Sequence, residues 1–372
     1  MKISDYSENE LQYILHSIKN ADKEAMKSAR ERQDKLAKPP RSLGRLEDLS
    51  VQLAGITGKV KNKFNNKYIL VFCADNGVVE EGVASAPQSV TAAQAVNMTK
   101  GKTGVAVLAK KFGCNLKVFD VGINSDVRDI AVIPAKIGYG TRNICKSAAM
   151  TRDDALKALF TGIESVKGSA EEGADIIGIG EMGIGNTTTS SAVLAVLSQK
   201  PVKEITGRGA GITDDSYYKK LSVIETSIAL NRPNKNDIVD IISKVGGFDI
   251  AAMTGAFIGA AQMRLPVVID GFISAVAALC AYRLCPAVKD YLIPSHASFE
   301  IGYNVAMNEL GITPLFDLGM RLGEGSGCPI SMMMVDAACA VINDMATFEE
   351  AAINDSYLYP IRNTDAFTVK GE

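Results

Sequence analysis

YILVFCADNG, residues 68–77, decides the fold of this chain. The stretch begins with an unbroken apolar run, and Asp75, Asn76 and Gly77 end it. Such a run, bounded by turn-forming residues, indicates a strand that is buried on both faces of a sheet. Five further runs share this form: LKVFDVG (116–122), DIIGIGE (175–181), PVVIDG (266–271), YLIPSH (291–296) and TPLFDLG (313–319).

The segments between several of these runs are long, rich in alanine and typical of helices. Because buried strands alternate with helices along the chain, we expect an α/β fold with helices on both faces of a parallel sheet. The length of 372 residues allows two domains, or one large α/β domain with an appendage.

The two ends of the chain have a different character. Residues 8–37 have helical periodicity and predict one helix that ends at Lys38-Pro39-Pro40, because proline cannot continue a helix. Ser42 is placed to cap a second helix over residues 43–56. The tail, residues 346–372, is acidic and then irregular, and we expect it to pack with the N-terminal helices or to fray.

Polar residues follow the predicted strands. They are Asp75, Asp120, Glu181, Asp270, His296 and Asp317. In open parallel sheets the ligand binds outside the carboxyl ends of the strands, so we expect a site at this edge. The alternative for any single residue is that it only ends a strand or caps a helix.

Composition excludes several classes of function. A net charge of −2 and the absence of a long apolar stretch argue against a general attraction to nucleic acid and against a transmembrane helix. The polar, acidic N-terminus is unlike a targeting peptide. Seven scattered cysteines without a CxxC pair predict reduced thiols and a cytoplasmic protein. His16 and His296 lie far apart, which argues against a catalytic zinc site.

Three glycine-rich stretches could bind anions. GIGEMG (178–183) matches the dinucleotide fingerprint, but no second strand follows at the required distance, and Glu181 would face the pyrophosphate. Residues 185–190 predict a helix N-terminus rich in hydroxyl groups, which suits a single phosphate or is an ordinary cap. TGRGAG (206–211), followed by Lys219 and Lys220, predicts an anion nest or a plain loop.

Two glutamates lie beside glycines and apolar residues. Glu181 precedes Met182, and Glu324 lies near the middle of RLGEGSGCP (321–329). Apolar surroundings raise the pKa of a carboxyl group by desolvation, which favours a general base. The alternative for each residue is a helix cap or a structural partner.

Taken together, nine segments resemble the nicotinate-nucleotide–dimethylbenzimidazole phosphoribosyltransferase family. They are KPPRSLGRLEDL (38–49), ADNGVVEEGV (74–83), PQSVT (87–91), GEMGIGNTT (180–188), TGRGAGI (206–212), GGFDIAAMTG (246–255), PVVIDGFIS (266–274), SHASFEIG (295–302) and LGEGSG (322–327). The segments follow one another in order over nearly the whole chain, so the set is specific although no single motif is.

The resemblance implies a Rossmann-like parallel sheet with a small helical domain built from the chain ends. The implied small domain is residues 1–62 with 346–372, and the implied catalytic domain is residues 63–345. The implied reaction moves ribose 5-phosphate from nicotinate mononucleotide onto 5,6-dimethylbenzimidazole, for the nucleotide loop of cobalamin. The family acts as a homodimer and needs no metal or cofactor.

The resemblance also assigns roles to residues. Glu324 is the implied general base and Glu181 supports it. Gly323 and Gly325 leave room for the flat ring. The aromatic base is expected to contact Pro87, Gln88, Gln94, Met182 and Leu322. The phosphate is expected to contact Gly183, Gly185, Asn186, Thr187, Gly207, Arg208, Gly209, Gly211 and Lys220.

One segment departs from the family pattern. Ala86 stands where many members have an aromatic residue, and Gln94 is shifted by one position. Both fall in the expected base pocket, so adenine or a simpler benzimidazole remains an alternative acceptor. A nucleotide phosphorylase, an N-glycosidase and a non-catalytic nucleotide sensor are the other functions that these residues allow.

Overall fold

A computed structural model of the chain describes residues 6–361. Contacts within it group the chain into two compact units. The first contains residues up to Asn20 together with Phe64–Met332, and the second contains Ala21–Lys63 together with residues from Met333 onward. The expected small domain differs from the second unit because residues 6–20 belong to the first, and because the second resumes at 333 rather than 346. Residues 1–5 and 362–372 of the expected domain lie outside the described residues.

The first unit contains a six-stranded parallel sheet. Its strands are β1 (Lys67–Ala74), β2 (Cys114–Gly122), β3 (Val132–Pro134), β4 (Ile176–Met182), β5 (Val267–Ile269) and β6 (Leu292–Pro294), in the spatial order β3-β2-β1-β4-β5-β6. This is the doubly wound order in which the direction of winding reverses between β1 and β4. The predicted Rossmann-like α/β fold is confirmed.

Fourteen α-helices are present in the described range. They are α1 (Glu8–Ser17), α2 (Lys23–Lys35), α3 (Arg45–Thr57), α4 (Ser89–Thr99), α5 (Gly104–Lys111), α6 (Arg152–Glu171), α7 (Asn186–Ser198), α8 (Val202–Ile205), α9 (Asp214–Asn231), α10 (Ile238–Val245), α11 (Phe248–Gln262), α12 (Phe272–Leu284), α13 (Ile301–Leu310) and α14 (Cys328–Asp344). Three short 3-10 helices cover Gly77–Glu81, Pro286–Tyr291 and Ser356–Leu358. Within residues 6–361, each helix is too short or too polar to traverse a lipid bilayer.

The core of the first unit lies around β1. Its residues from Ile69 to Ala74 are completely buried, which requires cover on both faces of the strand because successive side chains point in opposite directions. Phe72 stacks on Phe119 of the neighbouring strand β2, with ring centroids 5.3 Å apart. The continuous apolar run at 68–75 therefore identified the central strand of the sheet.

The second unit has a small core of its own. Ala29 of α2 and Val51 and Ala54 of α3 pack with Ile342 of α14. A buried ion pair between Lys38 and Glu47, 2.7 Å long, joins the loop after α2 to the first turn of α3. This pairing satisfies two charges that would be costly to bury alone.

Two predictions for the N-terminal helices were wrong. The helix predicted over 8–37 is two helices, because the chain is extended at Ile18 (ψ 123°) and Asp22 caps a new helix through the Glu24 and Ala25 N–H groups. Ser42 does not cap α3, because Gly44 occupies that position without a side-chain hydrogen bond.

The strand predicted at 313–319 was also wrong. Only one bridge forms there, between Phe316 and His296, and Leu318 is exposed. The sixth strand is instead β3, whose three residues Val132–Pro134 are too few for an apolar run to stand out in the sequence. The other five predicted strands are present.

Candidate functional site

A cleft of about 270 Å³ opens at the carboxyl ends of β4 and β5 in the first unit. It lies beside the point where the strand order reverses, as expected for an open parallel sheet. Ten predicted site residues line it: Gln94, Glu181, Met182, Gly183, Asn186, Thr187, Gly209, Leu322, Gly323 and Glu324. Residues from four separate sequence segments therefore meet in one cavity.

Glu324 lies in a turn with an uncommon backbone. Gly323, Glu324 and Gly325 have φ values of 82°, 64° and 88°, so three successive residues are in the left-handed region. Glycine adopts this region without strain, but a residue with a Cβ costs about 1 kcal/mol there. Such strain persists only where the surroundings hold the residue in place, and it is frequent at functional sites.

The surroundings of this turn hold it from two sides. Asp270, which follows β5, accepts hydrogen bonds from the Gly325 N–H (2.9 Å) and the Gly327 N–H (2.7 Å). On the other side the turn lies directly against β4, since a Cβ placed on Gly180 would be 2.5 Å from the Glu324 carbonyl oxygen. The position of the Glu324 side chain is therefore determined by the ends of two strands.

The Glu324 carboxyl group lies at the N-terminus of α5. The Val105 N–H donates to its Oε2 atom at 3.2 Å, and Thr103 and Gly104 also hydrogen-bond to the group. Burial raises the pKa of Glu324, while these hydrogen bonds oppose the rise and the negative charge of Asp270 adds to it. A desolvated carboxylate held by a helix N-terminus has the properties of a general base.

Glu181 lies near the end of β4 and is almost completely buried. Asn186 and the Glu324 N–H donate hydrogen bonds to its carboxyl group. Burial and then the charge of Asp249 raise the pKa of Glu181 to about 8, in spite of those two bonds. With this pKa the group is largely protonated at neutral pH.

Two buried aspartates accompany these glutamates. Burial raises the pKa of Asp249 to about 6 and also raises the pKa of Asp270, which the nearby His296 opposes. So many carboxyl groups favour a ligand that carries or develops positive charge. No group of three or more His, Cys, Asp and Glu side chains within residues 6–361 is arranged to hold a metal ion.

A buried cation lies behind one end of the cleft. Lys220 of α9 is 1% exposed and donates to the Thr187 hydroxyl (2.9 Å) and to the Gly207 carbonyl oxygen (3.1 Å). Burial lowers the pKa of Lys220 to about 8, and the nearby Glu300 carboxylate opposes this effect. The lysine links the N-terminus of α7 to the glycine loop at 206–211.

Eight predicted site residues do not line the cleft: Pro87, Gln88, Gly185, Gly207, Arg208, Gly211, Lys220 and Gly325. Lys220 and Gly207 contact residues that do line it. Gln88 donates to the Asn76 carbonyl oxygen at 3.2 Å, and Pro87 is exposed. The Arg208 side chain donates to the Ile212 carbonyl oxygen and to Asp214 at the start of α9.

Sequence reasoning did not assign several lining residues. Ser298, Glu300 and Arg321 line the cleft, and Glu300 accepts a hydrogen bond from the Gly209 N–H at 2.7 Å. Asp270 was named as a strand end but was given no role. In the sequence these residues are marked only by their position, a few residues after a predicted strand or just before the Glu324 turn. Position alone does not distinguish a residue that contacts a ligand from an ordinary loop residue.

Comparison with known proteins assigns the chain to a family. A family model described as Phosphoribosyltransferase matches residues 18–353. The nicotinate-nucleotide–dimethylbenzimidazole phosphoribosyltransferase of Clostridium perfringens strain 13 is 52% identical over 359 residues, which are 96% of this chain and 99% of the relative. The protein with the same name in Clostridium tetani strain Massachusetts is 49% identical over 353 residues, which are 95% of this chain and 98% of the relative.

A solved structure gives the same result. CobT from Thermus thermophilus superposes with a TM-score of 0.86 at 35% sequence identity, covering 89% of this chain and 99% of that protein. The resemblance found in the sequence motifs is therefore confirmed. The chain belongs to the nicotinate-nucleotide–dimethylbenzimidazole phosphoribosyltransferase family.

Proposed function

We propose that the protein transfers ribose 5-phosphate from nicotinate mononucleotide to 5,6-dimethylbenzimidazole. The products are α-ribazole 5′-phosphate and nicotinate, and the reaction supplies the lower-ligand nucleotide of cobalamin. One observation carries the proposal: a buried carboxyl group in a strained turn (Glu324) lines the same cleft as Thr187, which a buried lysine (Lys220) holds from behind. The names of the relatives at 52% and 49% identity support it.

The chemistry requires a base and no acid. One nitrogen of the benzimidazole bonds to C1′ of the ribose as the bond from C1′ to the pyridinium nitrogen breaks. The electron pair of that bond returns to the pyridinium ring, which departs as nicotinate without needing a proton. The N–H proton on the other benzimidazole nitrogen passes to Glu324. Direct displacement inverts C1′ and gives the α-anomer.

The difference between the two glutamates supports Glu324 as the base. Glu181 has a pKa of about 8 and is largely protonated at neutral pH, so it accepts a proton poorly. Glu324 retains hydrogen bonds from the start of α5, which favour its ionised form. We assign Glu181 the supporting role of holding the turn, because it accepts the Glu324 N–H. When the environments of two nearby carboxyl groups give them different pKa values, the two groups commonly take different roles, one ionised and one protonated.

The two substrates occupy opposite parts of the cleft in this proposal. The phosphate lies at the N-terminus of α7 near Thr187, where the helix dipole and Lys220 supply positive charge. The aromatic base lies near Ala86, Gln94 and Leu322, beside Glu324. Ala86 leaves more room than an aromatic residue would, so transfer to adenine or a simpler benzimidazole is the alternative.

The test is product analysis without added metal. We expect nicotinate mononucleotide and dimethylbenzimidazole to yield α-ribazole phosphate and an equal amount of nicotinate. Product with adenine alone would retain the mechanism and change the acceptor. Rapid release of nicotinate without any acceptor would indicate an N-glycosidase, and binding without turnover would indicate a sensor.

We also infer that the protein acts as a homodimer. Large apolar side chains are exposed beside the cleft: Phe299, Leu318 and Leu322 are 73%, 64% and 58% exposed. Phe299 and Met320 are joined by a backbone hydrogen bond of 3.1 Å, so these side chains lie on neighbouring segments. A patch of this kind favours an interface between proteins. Sedimentation that gives a monomer at working concentration would contradict the inference.

We infer a cytoplasmic location from the cysteines. All seven lie in the described range as free thiols, and four of them are buried: Cys73, Cys280, Cys328 and Cys339. Free thiols are typical of a reducing compartment. Recovery of the protein in a periplasmic or membrane fraction of the source cells would contradict this assignment.

A further inference from the structure

Acidic residues outnumber basic residues in the lining of the cleft. Four carboxyl residues line it: Glu181, Asp270, Glu300 and Glu324. Arg321 is the one basic residue among the described lining residues, because Lys220 lies behind Thr187 and does not line the cavity. A ligand that brings a carboxylate into this cleft needs a cation to offset the repulsion from those acids that are ionised.

The backbone on both sides of Arg321 is fixed. The Met320 carbonyl oxygen accepts the Phe299 N–H at 3.1 Å, and the left-handed turn begins at Gly323. The Leu322 side chain packs over α5, since a Cβ on Gly104 would lie 2.4 Å from its Cδ2 atom. The guanidinium group is therefore attached to a well-defined segment that leads into the turn of the proposed base.

Arg321 has no internal partner. Its side chain is exposed, and within residues 6–361 it makes no ion pair and no hydrogen bond through its guanidinium group. A guanidinium presents a planar fork of N–H donors that matches a carboxylate with two parallel hydrogen bonds. An arginine used only for structure would normally bond to one of the acids that share its cavity.

The substrate of the proposed function has one group that fits this arrangement. Nicotinate mononucleotide carries a phosphate at one end and a ring carboxylate at the other. The phosphate is accounted for by Lys220 and the start of α7, so the ring carboxylate is left for the one basic side chain among the described lining residues, Arg321. We propose that Arg321 binds the carboxylate of the nicotinate ring and so selects the acid nucleotide over nicotinamide mononucleotide. This inference rests on the proposed function.

The experiment compares the two nucleotides with the unaltered protein and three variants. Calorimetric titration without an acceptor base measures the affinities, and kcat/KM is measured with dimethylbenzimidazole. We expect Arg321→Met to lower the preference for the acid nucleotide by roughly 10- to 100-fold, because a charge-assisted hydrogen bond is lost. Arg321→Lys should retain part of the preference, since it keeps the charge without the fork. Arg128→Met, an exposed arginine that does not line the cleft, is the matched control.

Each outcome has a definite meaning. An equal loss for both nucleotides would show that Arg321 binds the phosphate or holds the turn, and would overturn the proposal. An unchanged preference in Arg321→Met would overturn it as well, as would failure of the unaltered protein to distinguish the nucleotides. Selective binding of the acid nucleotide without transfer to any base would refute the proposed reaction and leave the role of Arg321 intact.

Discussion

Replacing Glu181 by glutamine should stabilise the protein, and more strongly at high pH. The folded state raises the pKa of Glu181 from 4.5 to about 8, so it holds the proton more tightly than the unfolded chain does. At about 1.4 kcal/mol per pKa unit, this difference costs the folded state about 5 kcal/mol once the group is ionised. The cost is absent below about pH 4.5, grows as the pH rises, and is complete above about pH 8.

The assay is urea denaturation of both proteins at about pH 5.5 and about pH 8.5. The free energy of unfolding of Glu181→Gln relative to the parent should increase by about 3 kcal/mol between these two conditions. Because Asp249 interacts electrostatically with Glu181, the difference reports the coupled titration of both groups. Glu204→Gln, which removes an exposed acid, is the control. A stability difference that does not change with pH would refute the reasoning about this buried group.

Three further variants test the cleft. Glu324→Gln should lower kcat by on the order of 100-fold with little change in nucleotide affinity, measured by single-turnover kinetics and calorimetry, and an unchanged kcat would remove the proposed base. Lys220→Met should weaken nucleotide binding by roughly 10- to 100-fold without lowering the melting temperature at pH 7, because burial of its charge opposes folding. Equal affinity for the nucleotide would place the phosphate elsewhere. Ala86→Phe should raise the preference for dimethylbenzimidazole over adenine by roughly 10-fold in a competition assay, because the added ring fills space beside the base, and a constant product ratio would place position 86 outside the base pocket.

The sheet was predictable because its strands are buried on both faces. A short unbroken apolar run, as in Ile69–Ala74, favours a buried strand over a helix when turn residues bound it and β-branched or aromatic residues are frequent. The failures have a common physical cause. β3 has three residues, and residues 313–319 have the composition of a strand but only one partner position, at Phe316. Pairing with a neighbouring strand is a property of the fold and leaves little trace in a short sequence.

The site was predictable where the backbone itself is specialised. Glycines on both sides of an acid distinguish Glu324 in the sequence, and the left-handed turn explains why glycines stand at 323 and 325. Arg321 and Glu300 could not be assigned in this way, since charged residues in loops are usually solvated. Arg208 shows the opposite case. A glycine-rich loop with an arginine predicted an anion site, whereas the side chain bonds to Ile212 and to Asp214 at the start of α9.

The left-handed backbone at Glu324 lowers the stability of the fold at the residue that is the proposed base. Glycine at this position would relieve about 1 kcal/mol of strain and would remove a desolvated carboxyl group, so it should fold better than the acid. A procedure that chooses residues only for the stability of the folded chain would therefore place glycine at position 324 and delete the proposed base. Anyone who redesigns this scaffold for thermal tolerance should keep that acid fixed and look for added stability in the second unit.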